Sequence, residues 1–344
     1  MDVFILVLTK FYVFVKLAKI LLMMKIIIWT IGAVFFIFIS CNEKQEKKFQ
    51  NIVEQAFIST SAEAQENKDA DNPKNKTKII QNDYIPIHVV SWNIANFGGS
   101  KDDAEISYIA KKLRNADIVA IQEIAVGPKG AQAIAKLVDE LNRTGAKWDY
   151  VLSEPTVGPG TERYAFLFKT KNVSIKQKGF LIKELENDID REPFYQKFEI
   201  KGNGLVTTIS LVNIHTVPKS KGPEKEIQAL ARLHTLFPND KLLIMGDFNT
   251  AQNSPAFEAL KNVNYHPALN GRIKTTLKMQ PDPANGEKYA NDYDNIYCKK
   301  NGIEVIEANR IDIVQDIPSV YPDLKSIRQI SDHVPVYAKL KIKP

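Results

Sequence analysis

Polar residues able to bind a cation or transfer a proton follow several apolar stretches of this chain. The clearest case is residues 242–249, LLIMGDFN, where four apolar residues predict a short buried strand. Gly246 permits a close turn at its end, and Asp247 and Asn249 should share one face because alternate residues of an extended segment point the same way. A carboxylate beside a carboxamide suits a hard cation or a polarised water, although turn propensity alone explains such a pair equally well.

Other predicted strands end in the same kind of residue. These residues are Asn93, Glu123, Glu162, His215, Asp294, Asp332 and His333. Together with Asp247 and Asn249 they form an oxygen-rich set that suits Mg²⁺ or Mn²⁺ better than a closed zinc site. Two histidines supply a base and an acid, and a cation neutralises charge developing on phosphorus oxygens, so the set meets the needs of phosphodiester hydrolysis.

The elements that must position these residues alternate between strand and helix in the first half of the domain. Apolar runs predict strands at 87–94 and 117–124. Between them, apolar residues recur at helical spacing over 103–114, and a second amphipathic helix follows around 134–141. This alternation predicts a layered α/β fold.

The middle of the chain is richer in strands, with further strands predicted at 150–155, 162–169, 173–181, 194–200 and 205–215. A helix over 227–234 precedes the LLIMGDFN strand and makes His234 a packed residue at the core edge. A short helix is expected around 255–260. The two strand-rich halves are expected to pair as two packed sheets.

Composition predicts a folded protein with a sizeable core. The chain has 344 residues, 44% of them hydrophobic and 25% charged, enough for one large domain or two small ones. Its net charge of +6 is weak evidence for a polyanionic partner, since the first 41 residues hold four lysines against one aspartate. The two cysteines, Cys41 and Cys298, exclude a disulfide framework and a zinc site.

The N-terminus is typical of a targeting segment. A short basic region at Met24 and Lys25 precedes the apolar run 26–39, and Ser40 precedes Cys41. This resembles a bacterial lipoprotein signal, in which the chain is cut before the cysteine and the cysteine is lipidated. The alternative is a plain transmembrane anchor with Cys41 incidental.

The sequence therefore divides into three parts: a targeting segment at 1–41, a flexible tether at 42–83 and a globular domain at 84–344. The tether is rich in Lys, Glu, Gln, Asn and Asp and cannot bury enough apolar surface to order itself. Both interpretations of the N-terminus predict an exported protein held at the cell envelope or cell surface. The true start remains open among Met1, Met23 and Met24.

Eight motifs occur in one order between about residues 86 and 342. They are SWNIANFG, IVAIQE, ERYAFLFK, REPFYQKF, NIHTVP, LIMGDFN, DYDNIY and ISDHVPVY. This series resembles the endonuclease/exonuclease/phosphatase superfamily, and ERYAFLF with REPF resembles its deoxyribonuclease I branch. The resemblance implies a four-layer α/β sandwich, in which two mixed sheets pack face to face, helices lie outside and the active site lies at one edge.

The resemblance also implies roles for the metal-binding side of the site. Glu123 matches the principal Mg²⁺ ligand of the family, with Asn93 and Asp332 completing that side. Asp247 and Asn249 match the pair that orients the attacking water and the phosphate. Mn²⁺ is an alternative metal, and calcium sites cannot be traced.

On the catalytic side, His215 and His333 match the acid/base histidines of the family. Each is held there by a carboxylate, which implies Glu162 for His215 and Asp294 for His333; such a carboxylate fixes the tautomer and raises the imidazole pKa. The substrate-binding residues expected from the motifs are Arg191, Tyr293 and Arg163.

Several departures from the family bear on the substrate. The family's minor-groove loop, with its arginine and tyrosine, corresponds to a shorter loop at 156–161 that has neither. Two arginines that contact the DNA backbone in the family correspond to Ala95 and Ala125. Fewer phosphate contacts should weaken duplex binding, unless other cations compensate, namely Arg163, Arg191, Lys129 and the 219–221 loop.

We therefore expect a monomeric, lipid-anchored, Mg²⁺-dependent nuclease that makes single-strand cuts in DNA. A second hypothesis is a phosphodiesterase or phosphatase that acts on a phospholipid headgroup or a small phosphate ester. A third is a non-catalytic surface-binding lipoprotein, which the complete set of histidines and carboxylates disfavours because clustered charges are costly without a task.

Overall fold

A computed structural model describes residues 83–344. The predicted targeting segment, Cys41 and the tether up to residue 82 lie outside the described residues. Within the described part of the chain, no helix has the length and apolarity needed to cross a membrane.

Twelve strands make up the two sheets of the described region. They are β1 (Ile85–Phe97), β2 (Ile118–Ile124), β3 (Trp148–Leu152), β4 (Arg163–Lys169), β5 (Val173–Leu181), β6 (Phe194–Gly202), β7 (Leu205–His215), β8 (Leu242–Asp247), β9 (Tyr265–Pro267), β10 (Asp294–Lys299), β11 (Ile303–Arg310) and β12 (Val336–Ile342). The first sheet has the order β11-β12-β1-β2-β4-β3, and the second has the order β5-β6-β7-β8-β10-β9. Both are mixed, because β1 and β2 run parallel, as do β7 and β8, among otherwise antiparallel neighbours.

Helices cover the outer faces of both sheets. They are α1 (Asp103–Leu113), α2 (Pro128–Arg143), α3 (Glu224–Ala229), α4 (Leu233–Leu236), α5 (Glu258–Asn262) and α6 (Leu324–Ile327), with single 3₁₀ turns between some of them. Asp102 caps α1 through the Glu105 backbone N–H, and the Glu105 side chain accepts from the Asp102 N–H. Pro128 begins α2, where its missing N–H leaves no unmet hydrogen bond.

Three apolar layers hold the molecule together. Side chains such as Phe166, Phe198 and Met245 fill the space between the two sheets. Ile109 and Leu137 anchor α1 and α2 on the outer face of the first sheet, while the shorter helices pack on the second. The predicted four-layer sandwich of two packed mixed sheets is confirmed.

Most predicted elements are present, but two features differ. The helix predicted over 227–234 is interrupted by a 3₁₀ turn at Leu230–Arg232, which separates α3 from α4. Strand β11 follows no apolar alternation because it lies at a sheet edge with most of its side chains exposed or half-exposed, and the sequence did not predict it.

Polar contacts also cross the sandwich. The Gln122 side chain donates to Asn213 Oδ1 across 2.6 Å, and Asn213 Nδ2 donates to the Ile121 and Ala165 carbonyls. Cys298, the one cysteine of the described region, is buried in β10, and burial raises the pKa of its thiol to about 12.

Candidate active site

The strand directions explain why the polar residues meet. Parallel strands β1 and β2 both end at one edge of the first sheet, close to Asn93 and Glu123. Parallel strands β7 and β8 end at His215 and Asp247 in the second sheet. The antiparallel neighbour β10 begins at Asp294, which is paired with Asp247. Residues far apart in the sequence therefore lie at one edge of the sandwich, which we call the catalytic edge.

His215 is held by a buried carboxylate. Its Nδ1 lies 2.8 Å from Glu162 Oε2, and both side chains are buried. Burial opposes a charge on the imidazole, but Glu162 and Asp247 outweigh it and raise the pKa of His215. The ring is thus fixed, with Nε2 directed at the site.

His333 has an equivalent partner on the other side of the site. Its Nδ1 lies 2.8 Å from Asp294 Oδ2, which also accepts a hydrogen bond from the Thr275 hydroxyl at 2.6 Å. Burial again opposes the charge, but Asp294 and then Asp247 raise the pKa of His333 to about 10. The two imidazoles are therefore arranged alike, each with a carboxylate behind it.

Asp247 lies between the two histidines. One of its oxygens, Oδ2, is 3.4 Å from His215 Nε2 and 3.6 Å from His333 Nε2. Burial opposes its ionisation, yet the two histidines lower the pKa of Asp247. Its other oxygen accepts the Asn249 backbone N–H at 2.8 Å.

The backbone around Asp247 requires special residues. Gly246 has φ of +152°, and a Cβ there would lie 1.9 Å from the Ile214 carbonyl oxygen. Asn249 has φ of +46°, and its amide donates to the Thr216 carbonyl at 3.0 Å. The Asn249 side chain is thereby turned toward the end of β7.

Asn93 and Glu123 form the oxygen-rich side of the site. Asn93 Nδ2 donates to Glu123 Oε1 at 3.0 Å and to Asp247 Oδ2 at 3.2 Å, which leaves the buried Asn93 Oδ1 without a hydrogen-bond partner. Glu123 has φ of +61° and its carboxylate is half-buried. An unpartnered amide oxygen beside an accessible carboxylate fits a hard cation such as Mg²⁺.

Asp332, the third expected metal ligand, is close to this group but more open. Its carboxylate is 46% exposed and lies 3.6 Å from Arg328 Nη2. Burial lowers the pKa of Lys101, while the carboxylates of Glu105, Glu123 and Asp332 oppose that shift. Lys101 thus stands near both predicted ligands.

A second group of possible ligand atoms belongs to Asp247, Asp294 and His333, which approach one another within 4.8 Å. However, Asp294 Oδ2 and His333 Nδ1 already bond to each other, and a cation there would compete with that bond. The Asn93 and Glu123 side offers an unused oxygen, so the cation fits better there.

Arg191 differs from its expected role as a substrate contact. Its side chain is buried and donates to Glu162 Oε2 at 3.3 Å, to the His215 carbonyl at 2.9 Å and to the Thr216 carbonyl. A guanidinium that bonds these three groups is directed into the protein. Arg191 therefore lies behind the His215–Glu162 pair and hydrogen-bonds to both residues.

The other two expected substrate contacts, Arg163 and Tyr293, are half-buried. Arg163 donates to the Ser153 carbonyl at 2.7 Å and to the Val126 carbonyl at 3.2 Å, which joins two neighbouring loops. Tyr293 is half-buried next to Asp294, and burial raises the pKa of its phenol.

The sequence did not point to Thr275, whose hydroxyl orients Asp294, or to Gln122 and Asn213, which join the sheets directly below Glu123. Thr275 lies in a polar loop with no motif around it. Its partner is 19 residues away, so nothing in the local pattern marks it.

Two packed mixed sheets, with two carboxylate-held histidines and an oxygen-rich group at one edge, define a hydrolase of phosphodiester bonds. A family model described as "Endonuclease/Exonuclease/phosphatase family" matches residues 90–333. The chain belongs to this family, and its sequence relatives lie in the deoxyribonuclease I-like branch.

Among curated proteins, human deoxyribonuclease gamma is 28% identical over 284 residues, covering 75% of this chain and 87% of the relative. Two solved structures share the fold. An endonuclease/exonuclease/phosphatase family protein from Bacteroides thetaiotaomicron has a TM-score of 0.53 at 16% identity, covering 76% of this chain and 99% of that one. The human Nocturnin catalytic domain has a TM-score of 0.51 at 18% identity, covering 75% and 94%.

Proposed function

We propose that this chain is an exported, lipid-anchored, divalent-metal-dependent endonuclease that makes single-strand cuts in DNA. The observation that carries the proposal is the pair of histidines directed at Asp247, each fixed from behind by a buried carboxylate. A phosphodiester placed between the two Nε2 atoms meets a proton acceptor on one side and a proton donor on the other.

Proton transfer in this proposal belongs to the two imidazoles. One histidine, in its neutral form, takes a proton from the attacking water, and the other, protonated, gives one to the departing oxygen of the sugar. Glu162 and Asp294 each hold the Nδ1 proton, so that Nε2 is the nitrogen that exchanges it. Asp247, kept ionised, stabilises the positive charge on whichever ring is protonated.

Glu123, Asn93 and Asp332 are the residues proposed to hold Mg²⁺, with Mn²⁺ as an alternative. When bound, the cation would neutralise the charge that develops on the phosphate oxygens. Asn93 contributes by presenting its free Oδ1 to that side, while its amide nitrogen ties Glu123 and Asp247 together.

DNA is the substrate that the sequence relationship to deoxyribonuclease gamma supports. Arg163 and Tyr293, both half-buried, are proposed to contact the nucleic acid. We further propose that the protein acts as a monomer, and that lipidation of Cys41 holds it at the cell envelope or cell surface of a bacterium.

One observation favours a second candidate, a phosphodiesterase or phosphatase acting on a phospholipid headgroup or a small phosphate ester. The short 156–161 loop folds back onto residues 190–192: Val157 N–H donates to Glu192 at 2.9 Å, and a Cβ on Gly158 would lie 1.7 Å from the Asp190 carbonyl oxygen. A loop held this close to the body of the protein does not extend toward a duplex.

Incubation of the full chain with supercoiled plasmid and Mg²⁺, with and without chelator, separates these candidates. We expect nicking that chelator abolishes and that His215→Ala or His333→Ala lowers at least about a hundredfold, because each loses a proton-transfer group. The variants should keep the wild-type circular dichroism spectrum and thermal unfolding transition.

Normal nicking by both variants would contradict the assigned chemistry. Intact plasmid together with hydrolysis of bis-nitrophenyl phosphate would support the second candidate. If neither substrate is hydrolysed under any metal condition, the non-catalytic hypothesis gains support.

A further inference from the structure

A group of lysines lies at the end of the sandwich opposite the catalytic edge. Strand β1 begins there at Ile85, and the nine residues from Ile85 to Asn93 span about 25 Å of extended chain. The chain that precedes the described residues joins the domain at Asp83, directly before β1. The proposed N-terminal membrane anchor would therefore join the domain at this end.

Loops from both sheets bring positive charge to this end. The six lysines that we call the lysine pole are Lys147, Lys171, Lys201, Lys300, Lys341 and Lys343, and all but the half-buried Lys341 are exposed. Lys147 precedes β3, Lys171 follows β4, Lys201 lies at the end of β6 and Lys300 follows β10, while Lys341 and Lys343 lie at the end of β12. One end of the sandwich therefore gathers them from four connections and the end of β12. Clustering on one end is what an electrostatic contact with a polyanion requires.

Few acidic groups neutralise the lysine pole. Within residues 83–344, Lys147, Lys171, Lys300 and Lys343 have no ion-pair partner. Lys201 lies 3.2 Å from Glu199, and Lys341 lies 3.8 Å from Glu304. The remaining lysines are free to pair with charges outside the protein.

The residues around the lysines are typical of a surface that contacts a lipid–water interface. A cavity of about 490 Å³ opens among Asp83, Tyr84, Lys300, Glu304, Lys341 and Lys343. The Lys341 ammonium lies 4.7 Å from the centre of the Tyr84 ring, and Val206, which pairs with Lys201 at the start of β7, is 54% exposed. Tyrosine and lysine with an exposed aliphatic side chain are suited to the boundary between lipid and water.

We propose that the lysine pole docks the domain on an anionic lipid surface, with the catalytic edge directed away from it. The contact would bind phosphate-bearing headgroups through the lysine ammoniums, next to the point where the tether leaves the domain. The tether would bring the domain close to the membrane, and the lysine pole would set its orientation. This inference rests on the proposed membrane anchor but not on the reaction catalysed, because it uses none of the residues at the catalytic edge.

Lysine acetylation of the full chain tests the orientation directly. The protein is reconstituted into vesicles of phosphatidylcholine alone or of phosphatidylcholine with phosphatidylglycerol, and acetylation is mapped by mass spectrometry. In anionic vesicles we expect Lys300, Lys341 and Lys343 to react at least about threefold more slowly, and the difference to vanish in about 0.5 M salt. Lys136, Lys225 and Lys325, exposed elsewhere, should react equally in both vesicles.

Charge-matched variants provide the second arm of the experiment. The triple variant Lys300→Gln, Lys341→Gln, Lys343→Gln should lose the protection that Lys147, Lys171 and Lys201 show in anionic vesicles. The control triple Lys136→Gln, Lys225→Gln, Lys325→Gln should keep it. Equal acetylation of the lysine pole in both vesicles would overturn the proposal, as would protection by DNA in solution without any protection by vesicles.

Discussion

Each histidine of the candidate site depends on one buried carboxylate for its charge and orientation. Asp294 is the stronger test of this dependence, because it contributes most among the carboxylates that together raise the pKa of His333 to about 10, and because Thr275 orients it. The substitution Asp294→Asn keeps the size of the side chain but removes the negative charge of the carboxylate. The pKa of His333 should therefore fall.

We expect Asp294→Asn to lower turnover about tenfold to a hundredfold and to move one limb of the pH–rate profile to lower pH by roughly one unit or more. If His333 donates the proton, the alkaline limb moves, because a donor is lost above its pKa. If it accepts the proton, the acid limb moves. Turnover measured across the pH range tests this, and Glu162→Gln is the matched variant for His215. If neither limb of the pH–rate profile moves in Asp294→Asn, the assigned role of Asp294 is contradicted.

Ala95 and Ala125 offer a test of how the substrate lies on the protein. Ala95 is half-buried at the end of β1, and Ala125 is exposed directly after β2, so both border Glu123. Arginines at these positions should add phosphate contacts, tighten duplex binding and steepen its dependence on salt by about one unit of slope for each contact.

Binding titrations of the double variant Ala95→Arg, Ala125→Arg at several salt concentrations would measure that gain. The double variant Ala95→Gln, Ala125→Gln controls for the added bulk. An unchanged salt slope would show that the substrate approaches from another direction.

For single residues, the sequence is a good guide to which side chains come together at the site. It is a poorer guide to the atoms that each side chain contacts. The histidines, their carboxylates and Asp247 follow apolar strands, and parallel strand pairs bring them to one edge. Arg191 is predicted from the sequence as a substrate contact, yet its guanidinium faces inward, because it binds the carbonyls of His215 and Thr216, 24 and 25 residues away. Long-range backbone acceptors leave no trace in a local pattern.

At the scale of elements, buried strands are predictable because their side chains are apolar on both faces, as in β4 and β8. Edge strand β11 was not predictable, since its exposed side chains carry no alternation. The interruption between α3 and α4 was not predicted because, unlike β11, this segment does carry a regular apolar pattern. Apolar spacing continues through it, while the backbone tightens into a 3₁₀ turn.

The loop before β8 contains a half-buried charge, Asp240, that hydrogen-bonds to several elements. Asp240 accepts hydrogen bonds from the Tyr195 hydroxyl at 2.5 Å, the Ser210 hydroxyl at 2.7 Å and the Lys197 ammonium at 2.7 Å. Burial opposes the charge, but these donors outweigh it and lower the pKa of Asp240. The ionised carboxylate therefore joins β6, β7 and the start of β8.

Asp240→Asn should lower the free energy of unfolding by about 1–3 kcal/mol at neutral pH, since charge-assisted bonds are lost. A lowered pKa stabilises the fold at pH values above the ordinary carboxyl pKa, and that contribution disappears as pH falls through the folded-state value. The difference in unfolding free energy between the wild type and Asp240→Asn should thus become smaller as the pH is lowered. Urea unfolding at pH 7 and about pH 3 tests this, and Asp139→Asn, at an exposed position, is the control. An equal difference in unfolding free energy at both pH values would contradict the prediction.

At the scale of the whole molecule, the catalytic edge and the lysine pole lie at opposite ends of the same strands. A domain docked through the lysine pole would leave its active site open to the surrounding solution. We expect full-length protein on phosphatidylglycerol vesicles to nick soluble plasmid as fast as protein in detergent, because docking covers none of the site.

Plasmid assays at matched protein concentration compare the two states. Much slower nicking on anionic vesicles, restored by the triple variant Lys300→Gln, Lys341→Gln, Lys343→Gln, would show that docking turns the site toward the lipid. Unequal rates on uncharged vesicles would instead reveal an effect of the anchor itself.

The buried thiol of Cys298 has a consequence for how such a domain is made. With its pKa raised to about 12 and no second cysteine in the described region, the thiol stays protonated and shielded from oxidants. Folding of residues 83–344 then needs no oxidase to form disulfide bonds and no isomerase to correct them. The domain should mature equally well in anaerobic or reducing surroundings, and adding dithiothreitol should change neither its yield on refolding nor its melting temperature.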